Sequence, residues 1–447
     1  MSRSLLPALV PIVAAASLGA VVARSRALRR VALAATVLVP LGGLGLAAGT
    51  HRTDAPARSS PKPGHLTILI PANNESMVIG DLLKDLALQD VLGRADAPII
   101  RVIVVDDRST DSTAEVANDA LASSPPGLHS EVLRRTTGPM TKGGALHSVD
   151  VGAHAGTTVV VLDADGRVEP SFADLVIASA EAGVGVGTAR RRMMLPTSGR
   201  LARLLARLQD DEQTLDGELQ LGRWNLGGAS ELRGNGMIVR ADLLAAAGGW
   251  SPDALCEDLE LTSRLYLTPA GPRPRWLPEV VVWEQPVTTV RALVRQRLRW
   301  AEGAVRRDVR ITFPRLFEPR IPMIRRLDAA AYAAQTLLPF GALGALLAGR
   351  RGAALVGSAA VAYCVAALIL AIDALRMTQI EGTRPQRLLR RASRAVAVVG
   401  FAALWLALTP VAWLRVVLVS GPVRFARTSH RSGFAPPEPV PSAGGFR

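Results

Sequence analysis

Cysteine is nearly missing from this chain of 447 residues. Cys256 and Cys364 stand alone, which rules out a disulfide framework and any zinc site with cysteine spacing. Aromatic side chains are scarce as well, with three Tyr and eight Phe, too few for a platform that stacks single-stranded nucleic acid. The six His are scattered, and His147 and His154 lack ligand spacing. No P-loop and no Gly-x-Gly-x-x-Gly follows the first apolar strand, so backbone amides alone do not hold a phosphate here. Acidic residues are in the minority, 38 against 52 basic. The basic excess is local: Arg291–Arg326 carries eleven Arg against Glu302, Asp308 and Glu318, and Arg376–Arg394 carries six against Glu381. These net charges of +8 and +5 make up thirteen of the formal +14, and both stretches lie beside long apolar runs. That is the charge pattern of a protein held at an anionic membrane face, not of a nucleic-acid binder.

Apolar runs are abundant. Leu5–Ala23 and Val31–Gly49 each have about the 20 residues needed to cross a bilayer. Ala329–Ala348, Ala353–Leu375 and roughly Ala395–Leu408 are three more. The organisation expected is a pair of N-terminal membrane helices over residues 1–50, a Pro-rich linker over 51–64 and a soluble α/β domain over 65–290. A basic segment with interfacial helices over 291–327, membrane helices over 328–427 and a disordered tail over 428–447 complete it. Trp413–Arg427 reads as an interfacial helix.

The soluble domain is centred on Thr157–Asp165, a β-branched apolar run closed by two carboxylates. It reads as a strand buried on both faces, with Asp163 and Asp165 at its carboxyl end. Two hard oxygen donors flanking one residue can share a Mg²⁺ or Mn²⁺ ion and leave positions open for phosphate oxygens, so the implied substrate carries a diphosphate. Leu66–Ile70, ending in Pro71-Ala72-Asn73-Asn74-Glu75, and Arg101–Val105, ending in Asp106-Asp107, repeat the pattern of strand, polar loop and helix. That repeat predicts a parallel, Rossmann-like sheet whose ligand lies beyond the strand carboxyl ends. Asp106 or Asp107 can accept the imide N–H of uracil or a ribose hydroxyl, the alternative being a turn and cap cluster. Lys142-Gly143-Gly144 puts an ammonium on a loop before a helical run, placed to contact a nucleotide. Gly234-Asn235-Gly236 permits close approach of an acceptor to the backbone, or is a tight turn. Glu257 and Asp258 open a helix, where the dipole alone would explain acids. In Gln296-Arg297-Leu298-Arg299-Trp300, Arg295 and Arg299 stand one helical turn apart with Trp300 adjacent, a pairing that can grip a diphosphate and cover a sugar ring. The same stretch also reads as a basic amphipathic helix lying on the membrane.

This ordered set, from Pro71–Glu75 through Asp106-Asp107, Lys142-Gly143, Asp163-Ala164-Asp165, Glu257-Asp258 and Gln296–Trp300, resembles the membrane-bound family 2 glycosyltransferases. That group holds the cellulose, hyaluronan and poly-N-acetylglucosamine synthases and the β-monoglucosyldiacylglycerol synthases. The resemblance implies a GT-A domain flanked by transmembrane helices, a UDP-sugar donor, a lipid or polysaccharide acceptor, and Mg²⁺ or Mn²⁺ on Asp163 and Asp165. It assigns Pro71, Glu75, Asp106, Asp107, Lys142, Asp163 and Gln296 to the nucleotide-sugar. Asp258 is the implied general base, with Glu257, Arg299 and Trp300 catalytic beside it; Gly234, Asn235, Gly236 and Trp300 fall to the acceptor. Cys256 stands where many relatives carry Thr. The stretches Gly227–Met237 and Trp300-Ala301-Glu302-Gly303 are most similar to the glucosyldiacylglycerol branch, which favours a lipid acceptor. A cytoplasmic catalytic domain is expected on a protein of the plasma membrane. The four Arg of Arg24–Arg30 oppose this, because the positive-inside rule would place that loop in the cytoplasm and the following segment outside.

Overall fold

The computed structural model describes residues 5–51, 65–94, 98–154, 156–378, 380, 382–418 and 433–435. Most of the 51–64 linker and the 428–447 tail therefore lie outside the described residues. Helices α1 (Leu5–Arg24) and α2 (Arg26–Thr50) form a hairpin about Ser25, whose hydroxyl caps α2 at the Leu28 N–H, 3.3 Å away.

The soluble domain is one eight-stranded sheet. Its strands are β1 (Leu66–Ala72), β2 (Ile100–Asp107), β3 (Leu128–Arg135), β4 (Thr158–Val161), β5 (Arg167–Val168), β6 (Val186–Met193), β8 (Met237–Arg240) and β9 (Arg275–Glu284), in the order β3-β2-β1-β4-β8-β6-β9-β5. A separate two-stranded ladder joins β7 (Leu195–Pro196) to β10 (Phe434–Ala435), so part of the tail expected to be disordered is an ordered strand. Helices α3 (Ile79–Ala87), α4 (Thr113–Leu121), α5 (Lys142–His147), α6 (Phe172–Glu181), α7 (Arg200–Asn225), α8 (Ala241–Ala246) and α9 (Glu257–Tyr266) complete the domain.

The sheet is mixed, where the sequence suggested a parallel one. β1, β2, β3 and β4 are parallel, but β8 runs antiparallel to both β4 and β6. Gly236, at φ +79°, leads the loop after α7 into β8, and its N–H donates to the Val161 carbonyl at 2.9 Å where β4 ends, so β8 runs back along β4. Strands β1, β2 and β4 are buried on both faces, as their continuous Ile and Val runs require. One core lies on the side of α3, α4 and α6 (Ile68, Ile70, Leu82, Leu83, Phe172), the other on the side of α5 and α8 (Leu69, Val105, Leu146, Leu244, Trp250).

Beyond the sheet, α10 (Val290–Arg307) passes through a π turn at Asp308–Thr312 into the short α11 (Phe313–Arg315). Then come α12 (Met323–Ala334), α13 (Leu338–Leu346), α14 (Arg350–Ala374), α15 (Arg384–Ala402) and α16 (Leu404–Leu418). Among the described residues three stretches are long and apolar enough to cross a membrane: Arg26–Thr50, Arg350–Ala374 and Arg384–Leu418. The expected span Ala329–Ala348 is broken, α12 and α13 meeting at a 60° bend, and the first run enters as the shorter apolar helix Ala8–Arg24. Trp413 does not open an interfacial helix. It is fully buried in α16, packed with Val416 and Val417 against Ala301 and Val305 of α10 and Ala8 of α1. The apolar side of α10 is thus covered by protein, which corrects its reading as a helix lying on the membrane.

The membrane helices are seated on α7. Gly49 and Gly222 let α2 and α7 touch backbone to backbone; a Cβ on Gly222 would stand 2.5 Å from the Leu46 carbonyl oxygen. Asn225 donates to the Gly49 carbonyl at 2.6 Å, and Arg376, just past α14, lies 3.5 Å from Glu218. On its other side α7 meets the sheet through Asp210, which accepts from Arg192 of β6 at 2.8 Å.

Candidate active site

The parallel register brings three carboxyl ends to one edge. Ala72 pairs with Asp106, and Leu69 pairs with Val161, so Asn73, Asp107 and Asp163 all leave the sheet together. The ladder ends earlier at β4 than the run of apolar residues implied. The reason is that Asn235 accepts from the Asp163 N–H at 3.1 Å and Gly166 N–H closes a turn onto Asp163 at 2.8 Å.

Lys142 is the hub of this edge. It occupies the first turn of α5 and not a free loop, because Thr141 caps the helix by accepting from Gly144 N–H at 2.9 Å. Gly143 packs so closely that a Cβ would lie 2.5 Å from the Ser251 carbonyl. The ammonium thereby reaches Asp163 as a hydrogen-bonded ion pair, the Gly234 carbonyl at 2.8 Å and Glu257 at 3.6 Å. Burial opposes the charge on Lys142, but Asp163 and then Glu257 more than offset it, so its pKa is raised. A Cβ on Gly234 would stand 3.4 Å from Glu257 Oε1 and 3.6 Å from Asp258 Oδ2, so Lys142, Glu257 and Asp258 converge on this one glycine.

Burial pushes the Glu257 carboxyl up to about 7, against the pull of Lys142 and with Asp258 adding to the rise. The native state therefore holds this proton more tightly than the unfolded chain does. The stability it lends is present below the ordinary value of 4.5 and is lost as pH rises through about 7. Glu257→Gln is expected to flatten the fall in melting temperature between about pH 5 and about pH 8, measured by thermal unfolding.

Asp106 and Asp107 are both buried and already partnered. Asp106 accepts from Ser109 N–H at 3.1 Å and faces Arg134 at 3.3 Å; Asp107 faces Arg135 at 2.8 Å and accepts from Arg108 at 2.9 Å. Glu75 is half-buried beside them, tied to α4 through its N–H on the Thr113 hydroxyl at 2.8 Å, and Pro71 is the penultimate residue of β1. Asp111, rather than Ser112, serves the start of α4, accepting from Thr113 N–H at 3.1 Å.

Asp165 is buried, with Oδ2 accepting from Gln285 N–H at 3.1 Å. Next to it the structure adds Glu284, a residue the motif reading passed over. Burial raises its pKa, Arg191 at 3.6 Å opposes the rise, and Asp165 and Asp163 reinforce it. The Asn235 amide bridges the group, accepting from Asp163 and donating to Glu284 at 3.3 Å. Buried and occupied at both ends, Asn235 braces the Asp-x-Asp turn instead of facing an acceptor. The hard carboxylate oxygens of Asp163 and Asp165 are of the kind that suits a divalent cation. Among the described residues no group of three or more His, Cys, Asp or Glu is arranged to hold a metal by itself. Asp163 and Asp165 thus supply a partial oxygen set that diphosphate and water would complete. Glu284→Gln is expected to weaken Mn²⁺ binding about 10-fold, as loss of a residue that supports a metal's ligands commonly does; titration of Mn²⁺-dependent UDP binding measures it.

At α9 the sequence reading of the helix start holds, with Asp258 Oδ1 accepting its neighbour's Leu259 N–H at 2.8 Å. Cys256 precedes the helix and is buried against α10, where a Cβ on Gly303 would overlap its sulfur. Burial raises the thiol's pKa, so Cys256 acts as a small packing group. Gly303→Ala is expected to cost about 1–3 kcal/mol by overpacking, and Cys256→Ala in the same chain to restore only part of it, because the Cβ at 256 would still stand 2.8 Å away. Thermal unfolding of both single variants and the double variant tests this.

On α10 the guanidinium over Trp300 belongs to Arg297, 4.2 Å from the ring centre, with Arg191 at 5.6 Å. The backbone carbonyl of Arg299 lies near the Cys256 sulfur, at 3.9 Å. Arg297 is buried, ion-paired with Glu212 of α7 and donating to Gln296 Oε1 at 2.7 Å. A continuous path runs from Asp163 and Asp165 through Glu284 and Arg191 to Trp300. Its one signal in the sequence was Glu284 itself, a carboxylate closing an apolar strand just as Asp106 and Asp163 do.

A mixed sheet whose parallel half ends in an Asp-x-Asp edge, faced by an acidic helix start and an Arg-Trp helix, defines the GT-A fold of nucleotide-sugar transferases. The chain belongs to the glycosyltransferase like family 2, whose family model matches residues 63–303. It is 34% identical over 264 residues to the beta-monoglucosyldiacylglycerol synthase of Synechocystis sp., covering 56% of this chain and 50% of that protein. It is 35% identical over 258 residues to the synthase of the same name from Nostoc sp., covering 54% and 49%. The chain spans about half the length of these curated relatives. Among solved structures it is similar to a mannosyltransferase from Pyrobaculum calidifontis in complex with GDP-Man and Mn²⁺. That likeness has a TM-score of 0.56 at 19% identity, over 88% of this chain and 98% of the other, and bears on the fold alone.

Proposed function

We propose that the protein is a membrane-embedded, inverting hexosyltransferase that moves a hexose from a UDP-sugar, UDP-glucose in the first instance, to the hydroxyl of a membrane lipid such as diacylglycerol. The observation that carries this is the convergence of Lys142, Glu257 and Asp258 on Gly234, with Asp163 ion-paired to the same Lys142 at the sheet edge. The named relatives support the lipid acceptor.

Asp258 receives the proton of the acceptor hydroxyl as its oxygen attacks the anomeric carbon from the face opposite the diphosphate. The bond from that carbon to the diphosphate oxygen breaks, UDP leaves with the electron pair, and the anomeric configuration is inverted. Lys142 and Arg299 stabilise the charge that grows on the leaving diphosphate. Asp163 and Asp165 would hold Mg²⁺ or Mn²⁺, which when bound neutralises the diphosphate as a Lewis acid. Asp106, Asp107, Glu75 and Pro71 form the end of the edge assigned to the nucleoside, Gln296 serves the nucleotide-sugar from α10, and Trp300 covers the sugar and acceptor. The catalytic domain faces the cytoplasm, where nucleotide-sugars are made.

The test uses detergent-solubilised protein with labelled UDP-glucose, Mn²⁺ and diacylglycerol, the products being separated by solubility and size. Label in a chloroform-soluble glycolipid is the expected result. Label in a water-soluble polymer formed without added lipid would replace this reading with a processive polysaccharide synthase, to which the Gln296–Trp300 signature is also suited.

A further inference from the structure

Among the described residues the arginines of the α1–α2 turn form no ion pair, Arg29 donating to the Ala23 carbonyl at 2.7 Å. No Asp or Glu precedes Asp54 in the chain, and none lies between Asp328 and Asp373. The fold nevertheless gathers Arg24, Arg26, Arg29 and Arg30 with Arg350 and Arg351 of the α13–α14 turn at one end of the molecule. Ala8 and Ile12 of α1 pack with Trp413 and Ala301 at the catalytic domain, whereas a Cβ on Gly352 would lie 3.3 Å from the Ala23 side chain. The helices α1 and α13 therefore run outward together. Helices α2 and α14 run back together: Gly43 meets Ala366, and Thr50 donates to Asp373 at 3.1 Å beside α7. The six arginines thus cap the end farthest from the catalytic domain, and Arg24, Arg26, Arg30, Arg350 and Arg351 are exposed there.

Length fixes where this cap falls. Both α2 and α14 have 25 residues. At 1.5 Å per residue each is about 37 Å long. A bilayer has a hydrocarbon layer of about 30 Å and measures about 40–45 Å with its headgroups. With Thr50 and Ala374 at the near surface, Arg26 and Arg350 reach the far phosphate layer. This placement opposes the positive-inside tendency by six charges. A guanidinium fork is well matched to phosphate oxygens.

We infer that this arginine cap is a binding surface for anionic phospholipid headgroups in the leaflet opposite the catalytic domain. The inference is independent of the proposed reaction, and neither of its readouts requires turnover. The full-length protein and a variant with Arg24, Arg26, Arg30, Arg350 and Arg351 each changed to Gln are placed in nanodiscs of phosphatidylglycerol or of phosphatidylcholine. A lipid that binds the folded protein raises its melting temperature. Phosphatidylglycerol is expected to raise that of the wild type over phosphatidylcholine, and the variant to lose at least half of the shift; a variant that keeps more than half overturns the inference. The second readout uses Ala27→Cys in a Cys364→Ala chain, in vesicles whose catalytic domain faces outward. A membrane-impermeant maleimide is expected to label residue 27 only after the vesicles are permeabilised. Labelling of intact vesicles would place the cap on the catalytic side and overturn the inference equally.

Discussion

Asp258→Asn is expected to lower the turnover of hexosyl transfer by about 10³-fold, within the range of about 10²–10⁴ that a positioned general base contributes. The expectation is specific because Asp258 and Glu257 stand in different surroundings although they are neighbours. Glu257 is buried and faces the Lys142 ammonium at 3.6 Å, so its carboxyl is committed to the donor edge and not to an acceptor hydroxyl. Asp258 opens α9 with Oδ1 on the Leu259 N–H, which leaves Oδ2 directed at Gly234. Asn keeps the size of the side chain and removes its basicity. Binding of UDP, followed by calorimetry, should remain within about two-fold of the wild type, since a base acts on the acceptor and not on the donor. A variant that retains turnover removes Asp258 from the role of base.

Asp165→Asn is expected to reduce kcat/KM by a comparable factor, about 10³-fold, through a different step. Its carboxylate is buried and held by the Gln285 N–H, so the amide that replaces it has nowhere to swing away and offers a metal one neutral oxygen. The signature that separates the two variants is donor affinity: Asp165→Asn should lose the Mn²⁺-dependent part of UDP binding, while Asp258→Asn keeps it. Excess Mn²⁺ should recover part of the activity of the first variant and none of the second. Equal UDP affinity with and without Mn²⁺ in the wild type would sever Asp163 and Asp165 from any metal.

Much of the edge was legible in the sequence because its signals are local. A β-branched run that ends in a carboxylate declares both a buried strand and an exit from the sheet, and Asp106 and Asp163 were readable for that reason. The start of α9 was readable from its acids. What the sequence hid depends on long-range pairing. β8 reaches β4 only after α6, β6 and α7, so the antiparallel pairing that makes the sheet mixed leaves no local signal. Arg297 and Arg299 point to nearly opposite sides of the helix, and the approach of Glu212 from α7 is what marks the Arg297 side, shared with Trp300, as the buried one. Composition described the apolar runs well and their trajectories poorly. The Ala329–Ala348 run bends, and α16 has a surface fit for lipid that α10 occupies instead.

Helix α7 receives α2 and α14 at its far end and clasps β6 through Asp210 and Arg192, within one strand of Glu284. It is in effect a lever with the bilayer at one arm and the Asp-x-Asp edge at the other. Helices mismatched to the thickness of their membrane tilt at a cost of a fraction of a kcal/mol per Å. A tilt of this pair would be delivered to the donor edge by α7. Acyl-chain length in the host membrane would thereby reach the geometry of the Asp-x-Asp edge.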